Sequence, residues 1–315
     1  MPLDAGLIDW HHVGSIHRPG QECVHTITRP PRSCLTRIFL SFGILLLGAT
    51  SISGANAGQE ALEQTLEAFT ARQKMTTLLP QLKAGVAIEV QDLLLMNLAP
   101  DYGGVAGYLC ELAADGRTVV VPVLENMFTS SGATLYGAKG SDQSAQLGWL
   151  LRVRAEGTVG VGAPPSLHEY FSELIPAVIV RDRLLRVEQQ GQWAAMTAVN
   201  AGVRYLVLGA PWPIDEAGDA EILNGPMKAV LANRAGEILT EGLSLSENRE
   251  PLNAVAALQE LLAARGRALR AGDLVSLGSV GSAVVLGGIG RVTAHFSTVL
   301  GERRIVFAMR PPVSG

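Results

Sequence analysis

Residues 251–280 constrain the fold more than any other stretch, because signals for a helix, a turn and a buried strand follow one another there. Apolar residues recur at the spacing of one helical face from Val255 to Leu262. Gly266 comes just after the last of them, where a glycine commonly caps a helix. The sequence therefore predicts a helix over residues 252–265, then a turn, and then a strand bounded by glycines.

Most of the chain after residue 100 is a series of short apolar runs separated by glycine, proline and asparagine, which is the pattern of β-strands. Strands are predicted over residues 105–112, 118–124, 147–153, 204–209, 228–232 and 291–296. Further helices are predicted over residues 58–79, 87–98 and 166–175. These elements together predict an α+β fold, with a highly curved mixed β-sheet roll and peripheral helices. Since no repeat or low-complexity linker divides it, we expect one domain over residues 58–315.

Residues 1–57 have the order of a secretory signal peptide. Arginines precede an apolar run over residues 38–49, and small residues then lead to Ala57. The alternative is an uncleaved membrane anchor, but the run is shorter than the ~20 apolar residues of a spanning helix. We therefore expect cleavage after Ala57, a periplasmic or secreted protein, and no stable membrane anchor after cleavage. A true start downstream of Met1 would explain why the positive region is so long.

Charge and residue usage exclude several classes of function. The formal net charge is −4 and no basic run occurs, which argues against nucleic acid as a partner. Cys110 is the only cysteine after residue 57, so the exported part has no intrachain disulfide. His168 and His295 are the only histidines there, which nearly excludes a multi-histidine metal centre. We interpret His295 as a strand residue at the surface or at an oligomer contact.

Residues 251–280 also resemble part of a known family. The run Pro-Leu-Asn-Ala-Val from Pro251, the helix after it, Leu-x-x-Gly-Asp-x-Val from Leu269 and Gly278-Ser279 are shared features. They resemble the C-terminal part of the 2-keto-4-pentenoate hydratase and 4-oxalocrotonate decarboxylase family, within the fumarylacetoacetase-like fold. The resemblance covers most of residues 58–310. It implies a β-roll of the fumarylacetoacetase C-terminal type and a homo-oligomer.

Members of that family bind Mg²⁺ or Mn²⁺ through two glutamates of an E-x-E strand and a third carboxylate in a later L-P-A-x-E segment, while a lysine of a G-x-K strand serves the active site. The resemblance puts Gln146 and Gly148 at the E-x-E positions. It puts Ile179 at the third carboxylate and Leu109 at the lysine. None of the four residues has the side chain that the family's chemistry needs.

The resemblance adds Asn200, Pro251 and Asn253 as further candidate pocket positions. Three carboxylates hold a hard cation because they supply its charge balance and most of its inner-shell oxygens, which this chain lacks at those positions. We therefore expect no metal cofactor. We also expect a non-catalytic protein that binds a neutral or partly apolar small molecule, or that acts as an interaction protein.

The alternative is a hydratase or decarboxylase that acts on a 2-keto acid with relocated ligands or without metal. The acids available to it are Glu111, Glu125, Asp142 and Asp182, and we interpret them as solvated loop or strand-end residues. The glycine run over residues 287–290 is predicted as a β-turn and not as a dinucleotide loop, because strand-like alternation follows it.

Overall fold

The computed structural model describes residues 52–137, 140, 142–154, 167–215, 225–244, 251–287 and 290–311. The side chains of residues 52–55, 167, 244 and 251–254 lie outside this description. Most of the expected leader and part of the glycine run at 287–290 also lie outside it. In the part of the chain that is described, no helix combines the length and the apolar character that crossing a membrane requires.

The helices are α1 (Ile52–Ala71), α2 (Ala84–Tyr102), α3 (Leu167–Tyr170), α4 (Trp193–Ala198) and α5 (Pro251–Ala263). The strands are β1 (Val105–Leu112), β2 (Thr118–Leu124), β3 (Phe128–Ser130), β4 (Thr134–Tyr136), β5 (Gln143–Val153), β6 (Phe171–Asp182), β7 (Val203–Leu208), β8 (Trp212–Pro213), β9 (Met227–Asn233), β10 (Ile238–Ser244), β11 (Leu274–Val285), β12 (Arg291–Thr298) and β13 (Gly301–Arg310).

Two mixed sheets are built from these strands. The larger sheet has the order β2-β1-β11-β5-β6-β7-β3, with β8 paired to β6, and the smaller has the order β10-β9-β12-β13-β4. The pairs β1/β11, β3/β7 and β13/β4 are parallel, whereas the long strands β5 and β6 pair antiparallel. The larger sheet is strongly curled, and β11 carries two irregularities of the kind that bend a strand. The predicted α+β fold with a curved mixed sheet is confirmed.

Two apolar cores lie on opposite faces of the larger sheet. The inter-sheet core, between the two sheets, contains Trp149 packed edge-on against Phe296 at a centroid distance of 4.9 Å. The helix-side core lies between the larger sheet and α1, α2 and α4, and includes Leu94 and Leu150. Strands β5 and β6 are buried on both faces, which explains why they are apolar almost throughout.

Helix α5 forms as the sequence predicts. Val255, Leu258 and Leu262 are fully buried in the inter-sheet core, so the periodic face is the packed face. Gly266 has a φ of +65°, and its N–H donates to the carbonyl of Ala263. A side chain would be strained in this left-handed conformation, and glycine therefore ends the helix at low cost.

The helix predicted over residues 166–175 is wrong. Only α3 is helical, and the chain continues from Phe171 as β6. The apolar run from Leu174 to Val180 pairs with β5 on one side and with β8 and β7 on the other, and both of its faces are buried. Pairing of this kind outweighs the local cap signal at Ser166, which lies outside the described residues.

Helix α1 runs from Ile52 to Ala71, whereas the sequence predicts a helix over residues 58–79. Both ends of the helix therefore come earlier in the chain than predicted. The expected cleavage point after Ala57 therefore lies inside α1. Helix α2 extends past its predicted end and contains Pro100, and Gly103 follows its last residue with a φ of +79°. Strands β1 and β2 have the predicted bounds.

Candidate functional site

The four positions that replace the family's ligands and lysine lie on one face of the larger sheet. Leu109 in β1 and Ile179 in β6 both belong to the helix-side core. Gln146 in β5 is paired directly opposite Ile179, and Gly148 lies two residues further along β5 on the same face. The fold thus brings to one face the positions that the sequence resemblance singles out.

That face is packed with apolar side chains at these positions. Leu109 and Ile179 are fully buried. A Cβ atom added to Gly148 would lie 3.1 Å from Cδ1 of Ile179, which is closer than an ordinary van der Waals contact. Ile179 therefore occupies the space into which a longer side chain at position 148 would project.

Gln146 is the one polar side chain among the four. Its Oε1 accepts a hydrogen bond of 2.9 Å from Nη1 of Arg181, and its Nε2 donates to the carbonyl of Gly281 at 3.4 Å. A hard divalent cation prefers several oxygen ligands that carry negative charge. These four residues do not fit such an ion, because they supply one neutral oxygen that already accepts from a cation.

Elsewhere in the described ranges, no group of three or more His, Cys, Asp and Glu side chains is arranged to hold a metal ion. The expected absence of a metal cofactor stays a prediction.

A charged cluster lies next to the packed positions, and we call Glu111, Gln146, Arg181 and Ser279 the Glu111–Arg181 cluster. Nη2 of Arg181 forms a short ion pair with Oε1 of Glu111, and Oγ of Ser279 lies 3.5 Å from the same oxygen. The side chains of Glu111 and Arg181 are 14% and 12% exposed. They stand two residues beyond Leu109 and Ile179, and so they extend the same face toward solvent.

Sequence reasoning did not single out Arg181. A signal was present, because Glu111 and Arg181 each end an apolar strand, and charged side chains in such positions need partners. The sequence does not say that the two meet, since β11 and β5 lie between β1 and β6 in the sheet. The contact depends on the curl of the sheet.

A cavity of about 280 Å³ opens beside the Glu111–Arg181 cluster, and we call it the β6 cavity. Glu111, Arg181 and Ser144 provide polar groups to its wall, and Leu184, Met196 and Val199 provide apolar surface. The volume is at the lower end of the range for small-molecule pockets. A half-open cavity that has the Glu111–Arg181 ion pair and several apolar side chains in its wall suits a small organic ligand.

The backbone that lines one side of this cavity has an uncommon conformation. Asn200 and Ala201 have φ values of 50° and 48°, and Gly202 has a φ of 66°. Side chains are disfavoured in this left-handed region, at a cost of about 1–2 kcal/mol per residue. Gly202 also passes so close to the carbonyl of Asp182 that a Cβ atom there would overlap it.

The Asn200 side chain itself is turned away from the β6 cavity and into the core. It is fully buried, its Nδ2 donates to the carbonyl of Pro122 at 2.9 Å, and its Oδ1 accepts from Nε2 of Gln91 at 3.0 Å. This amide holds the left-handed turn in place. The other two candidate pocket positions, Pro251 and Asn253, are in the first turn of α5, and their side chains lie outside the described residues.

The interpretation of Asp182 as a solvated strand-end acid is wrong. Its side chain is completely buried and accepts hydrogen bonds from Arg72 at 3.1 and 3.2 Å, from Arg204 at 2.9 Å and from Gln143 at 2.9 Å. Burial alone would raise the pKa of Asp182, but the nearby Arg204 and Arg72 outweigh it and lower the pKa. Asp182 therefore ties the residue that follows α1 to β6 and β7.

The remaining acids differ from one another. Glu125 and Asp142 are exposed, as expected. The interpretation of Glu111 as a solvated acid is wrong, because its side chain is only 14% exposed and is paired with Arg181. Cys110 has no disulfide partner within the described part of the chain, and burial, with a smaller effect of Glu111, raises the pKa of its thiol to about 12. It is therefore protonated at neutral pH and unsuited to nucleophilic chemistry. His295 is an exposed residue of β12, in agreement with its interpretation as a strand residue at the surface.

No protein-family model matches the sequence, and no curated protein matches it. Solved structures do match. Two are of 4-oxalocrotonate decarboxylase from Pseudomonas putida G7, one complexed with magnesium and adipate and one with calcium and acetate, each with a TM-score of 0.66 and 14% identity. The first match covers 82% of this chain and 99% of that one, and the second covers 81% and 98%. The chain has the fold of the fumarylacetoacetate hydrolase family.

A third similar structure fits the same conclusion. It is of a protein from Oleispira antarctica that is described as a fumarylacetoacetate isomerase/hydrolase, and the match has a TM-score of 0.51 and 12% identity over 65% of this chain and 93% of that one. The fumarylacetoacetase-type fold therefore spans most of the described chain. Since one fold supports many activities, what the protein does has to be argued from its own residues.

Proposed function

We propose that this chain is a non-catalytic small-molecule-binding protein built on the fumarylacetoacetase-type fold. One observation carries the proposal. The face on which the resembled family places three carboxylates and a lysine has Leu109 and Ile179 here, both fully buried in the helix-side core, and Gly148, next to which Ile179 fills the space. A metal-assisted reaction at this place lacks both the ligands for the ion and the space for a substrate.

The carboxylate nearest to that place does not replace them. Glu111 is already paired with Arg181, so a cation that approached Glu111 would meet a guanidinium group at the same oxygen. Asp182 is paired with two arginines and closed off from solvent. Neither acid can give its charge to a metal without leaving a partly or fully buried arginine uncompensated.

We expect the mature protein to show no saturable binding of Mg²⁺ or Mn²⁺ and no conversion of a 2-keto acid or its enol. The physical reason is that desolvating a divalent cation requires several negatively charged oxygens, and these positions provide none. Isothermal titration with each cation, after treatment with EDTA, measures the first part. An ultraviolet assay on 2-hydroxypentadienoate, with enzyme-free buffer as the blank, measures the second.

The second candidate function is that of a lyase with relocated ligands, and Glu111 at the β6 cavity is the observation in its favour. Micromolar affinity for a metal together with turnover would support the lyase and overturn the non-catalytic proposal. In that case Glu111→Gln should abolish turnover, while Glu125→Gln and Asp142→Asn should not, because both of those side chains are exposed.

We also propose that the protein is exported to the periplasm or secreted, with cleavage after Ala57. The support is the order of arginines, apolar run and small residues before Ala57. N-terminal sequencing of the protein recovered from cells should return a chain that begins at Gly58. Recovery of an intact cytoplasmic chain that begins before Arg37 would refute export.

A further inference from the structure

The geometry points to the β6 cavity as a binding site for a small uncharged molecule with an apolar body and a polar head that both donates and accepts hydrogen bonds, as a primary carboxamide does. This inference rests on the proposed function, because it names the ligand class of that same protein. It goes further, since it assigns the site to residues that the family's ligand positions do not include.

The polar end of the cavity determines the head group. Arg181 has five N–H donors, and the described hydrogen bonds use Nη1 toward Gln146 and Nη2 toward Glu111. The described hydrogen bonds to Glu111 both reach Oε1, so Oε2 can accept another. The wall therefore presents a donor beside an acceptor. A primary amide matches it, because its oxygen accepts from Arg181 while its NH₂ donates to Glu111.

The charge of the cluster argues for a neutral ligand. Glu111 and Arg181 neutralise each other and are both largely shielded from water. The other two charged residues of the lining are Asp182, whose charge two further arginines compensate, and Arg183, which donates to Gln190 in a more exposed position. A carboxylate ligand would be attracted by Arg181 and repelled by Glu111, and an ammonium ligand would meet the reverse. Either ion would lose hydration beside a shielded pair that has no net charge, which is costly for a group removed from water.

The apolar end of the cavity determines the body of the ligand. Leu184 and Val199 are buried, and Met196 of α4 is half-buried at the side of the opening. A cavity of about 280 Å³ holds a single-ring molecule and little more. The wall is also preformed, because the left-handed backbone at Asn200 and Ala201 is held by the buried amide of Asn200. Strained backbone of this kind is typical of binding sites.

Ligand-observed NMR on the mature protein tests the inference with three probes of one shape, namely benzamide, benzoate and benzylamine. Benzamide should bind to the wild-type protein, and benzoate and benzylamine should bind at least about tenfold more weakly. Met196→Trp should fill the cavity and weaken benzamide binding at least about tenfold. Met96→Trp is the matched control, because Met96 is 70% exposed on α2, and it should leave binding unchanged.

A second variant tests the head group separately from the cavity. Glu111→Gln preserves shape but leaves Arg181 without its counter-charge, so the preference should reverse from benzamide to benzoate. Absence of benzamide binding to the wild-type protein, equal binding of benzoate, or full binding by Met196→Trp would each overturn the inference. Such failure leaves the non-catalytic proposal standing, whereas metal binding with turnover overturns that proposal whatever benzamide does.

Discussion

Replacing Asp182 with alanine is expected to lower the free energy of unfolding by about 3–5 kcal/mol, because it leaves buried arginines without their counter-charge. Arg204 is 3% exposed and Arg72 is 18% exposed, and both donate to this carboxylate. Urea denaturation followed by tryptophan fluorescence measures the change, provided that the slope of the transition is the same in both proteins.

Arg204 cannot escape the loss by turning toward solvent. Its Nη2 donates to the carbonyl of Phe69 at 2.5 Å, its Nη1 donates to the hydroxyl of Tyr102 at 2.9 Å, and its guanidinium lies 3.8 Å from the centre of the Phe69 ring. The group is therefore held inside, and its desolvation is not relieved when Asp182 is removed. This places the expected change in the range for broken buried pairs and not in the range for surface pairs.

The matched control for Asp182→Ala is Asp115→Ala. Asp115 forms an ion pair with Arg117 at 2.6 Å, but both side chains are exposed. The same substitution there should leave the unfolding midpoint unchanged. If the two variants shifted the midpoint equally, the assignment of Asp182 as a buried structural tie would be wrong.

The direction of the shift in the pKa of Asp182 determines how the stability of the folded protein depends on pH. The pKa of Asp182 is lower in the folded protein than the value of about 3.9 that an aspartate has in an unfolded chain. Its contribution to stability is therefore complete above that unfolded value and is lost as the pH falls through the folded pKa. The difference in stability between the wild-type protein and Asp182→Asn should accordingly be largest near neutral pH and shrink in acid.

Introducing a glutamate at position 179, where the resembled family has its third carboxylate, should also destabilise the folded protein. We expect Ile179→Glu to lower the free energy of unfolding by more than about 4 kcal/mol, because it replaces a buried sec-butyl group with an unpaired buried carboxylate. Ile179 is fully buried and packs beside Gly148, where no water is available to the new group. Thermal and urea denaturation in EDTA and in excess Mg²⁺ measure the effect.

Two controls separate the charge from the change in packing. Ile179→Val removes one methylene group and should cost only about 0.5–1.5 kcal/mol. Gln146→Glu introduces the same carboxylate directly opposite on β5, but next to Arg181, and should be much better tolerated. If Mg²⁺ restored the stability of Ile179→Glu combined with Gln146→Glu to the wild-type level, the face would be a latent metal site and the packed interpretation would fail.

The sequence predicts the elements whose signals are local. The spacing of its apolar residues and Gly266 predict helix α5, and glycines and polar turns mark the ends of β1 and β2. All three elements form where the sequence predicts them. The failure at residues 166–175 has the opposite cause. Strand β6 is specified by its two neighbours in the sheet, and a window of ten residues does not contain that information.

The candidate site likewise combines features that are local in the sequence with contacts between distant residues. Gln146, Gly148 and Ile179, which the resemblance singles out, lie on one face of the sheet, and the alternation along a strand that puts Gln146 and Gly148 there is a local property. The partners of Asp182 and Glu111 are not local, since Arg72 is 110 residues from Asp182 and Arg181 is 70 residues from Glu111. Only the folded sheet shows that these charges are compensated, and compensation decides whether an acid can act as a ligand.

The two-sided burial of β5 and β6 leaves their alignment to a few polar residues. In a sheet with one wet face, a slip by one residue would expose apolar side chains and is forbidden for that reason, but here both faces are apolar and that penalty is weak. The alignment is instead fixed at its ends, where Gln143 stands opposite and donates to Asp182, and Arg152 stands opposite and pairs with Glu173 at 2.7 Å. A slip by one residue would break both pairs at once. Asp182, which lies at the end of an apolar strand, therefore helps to fix the register of β5 and β6.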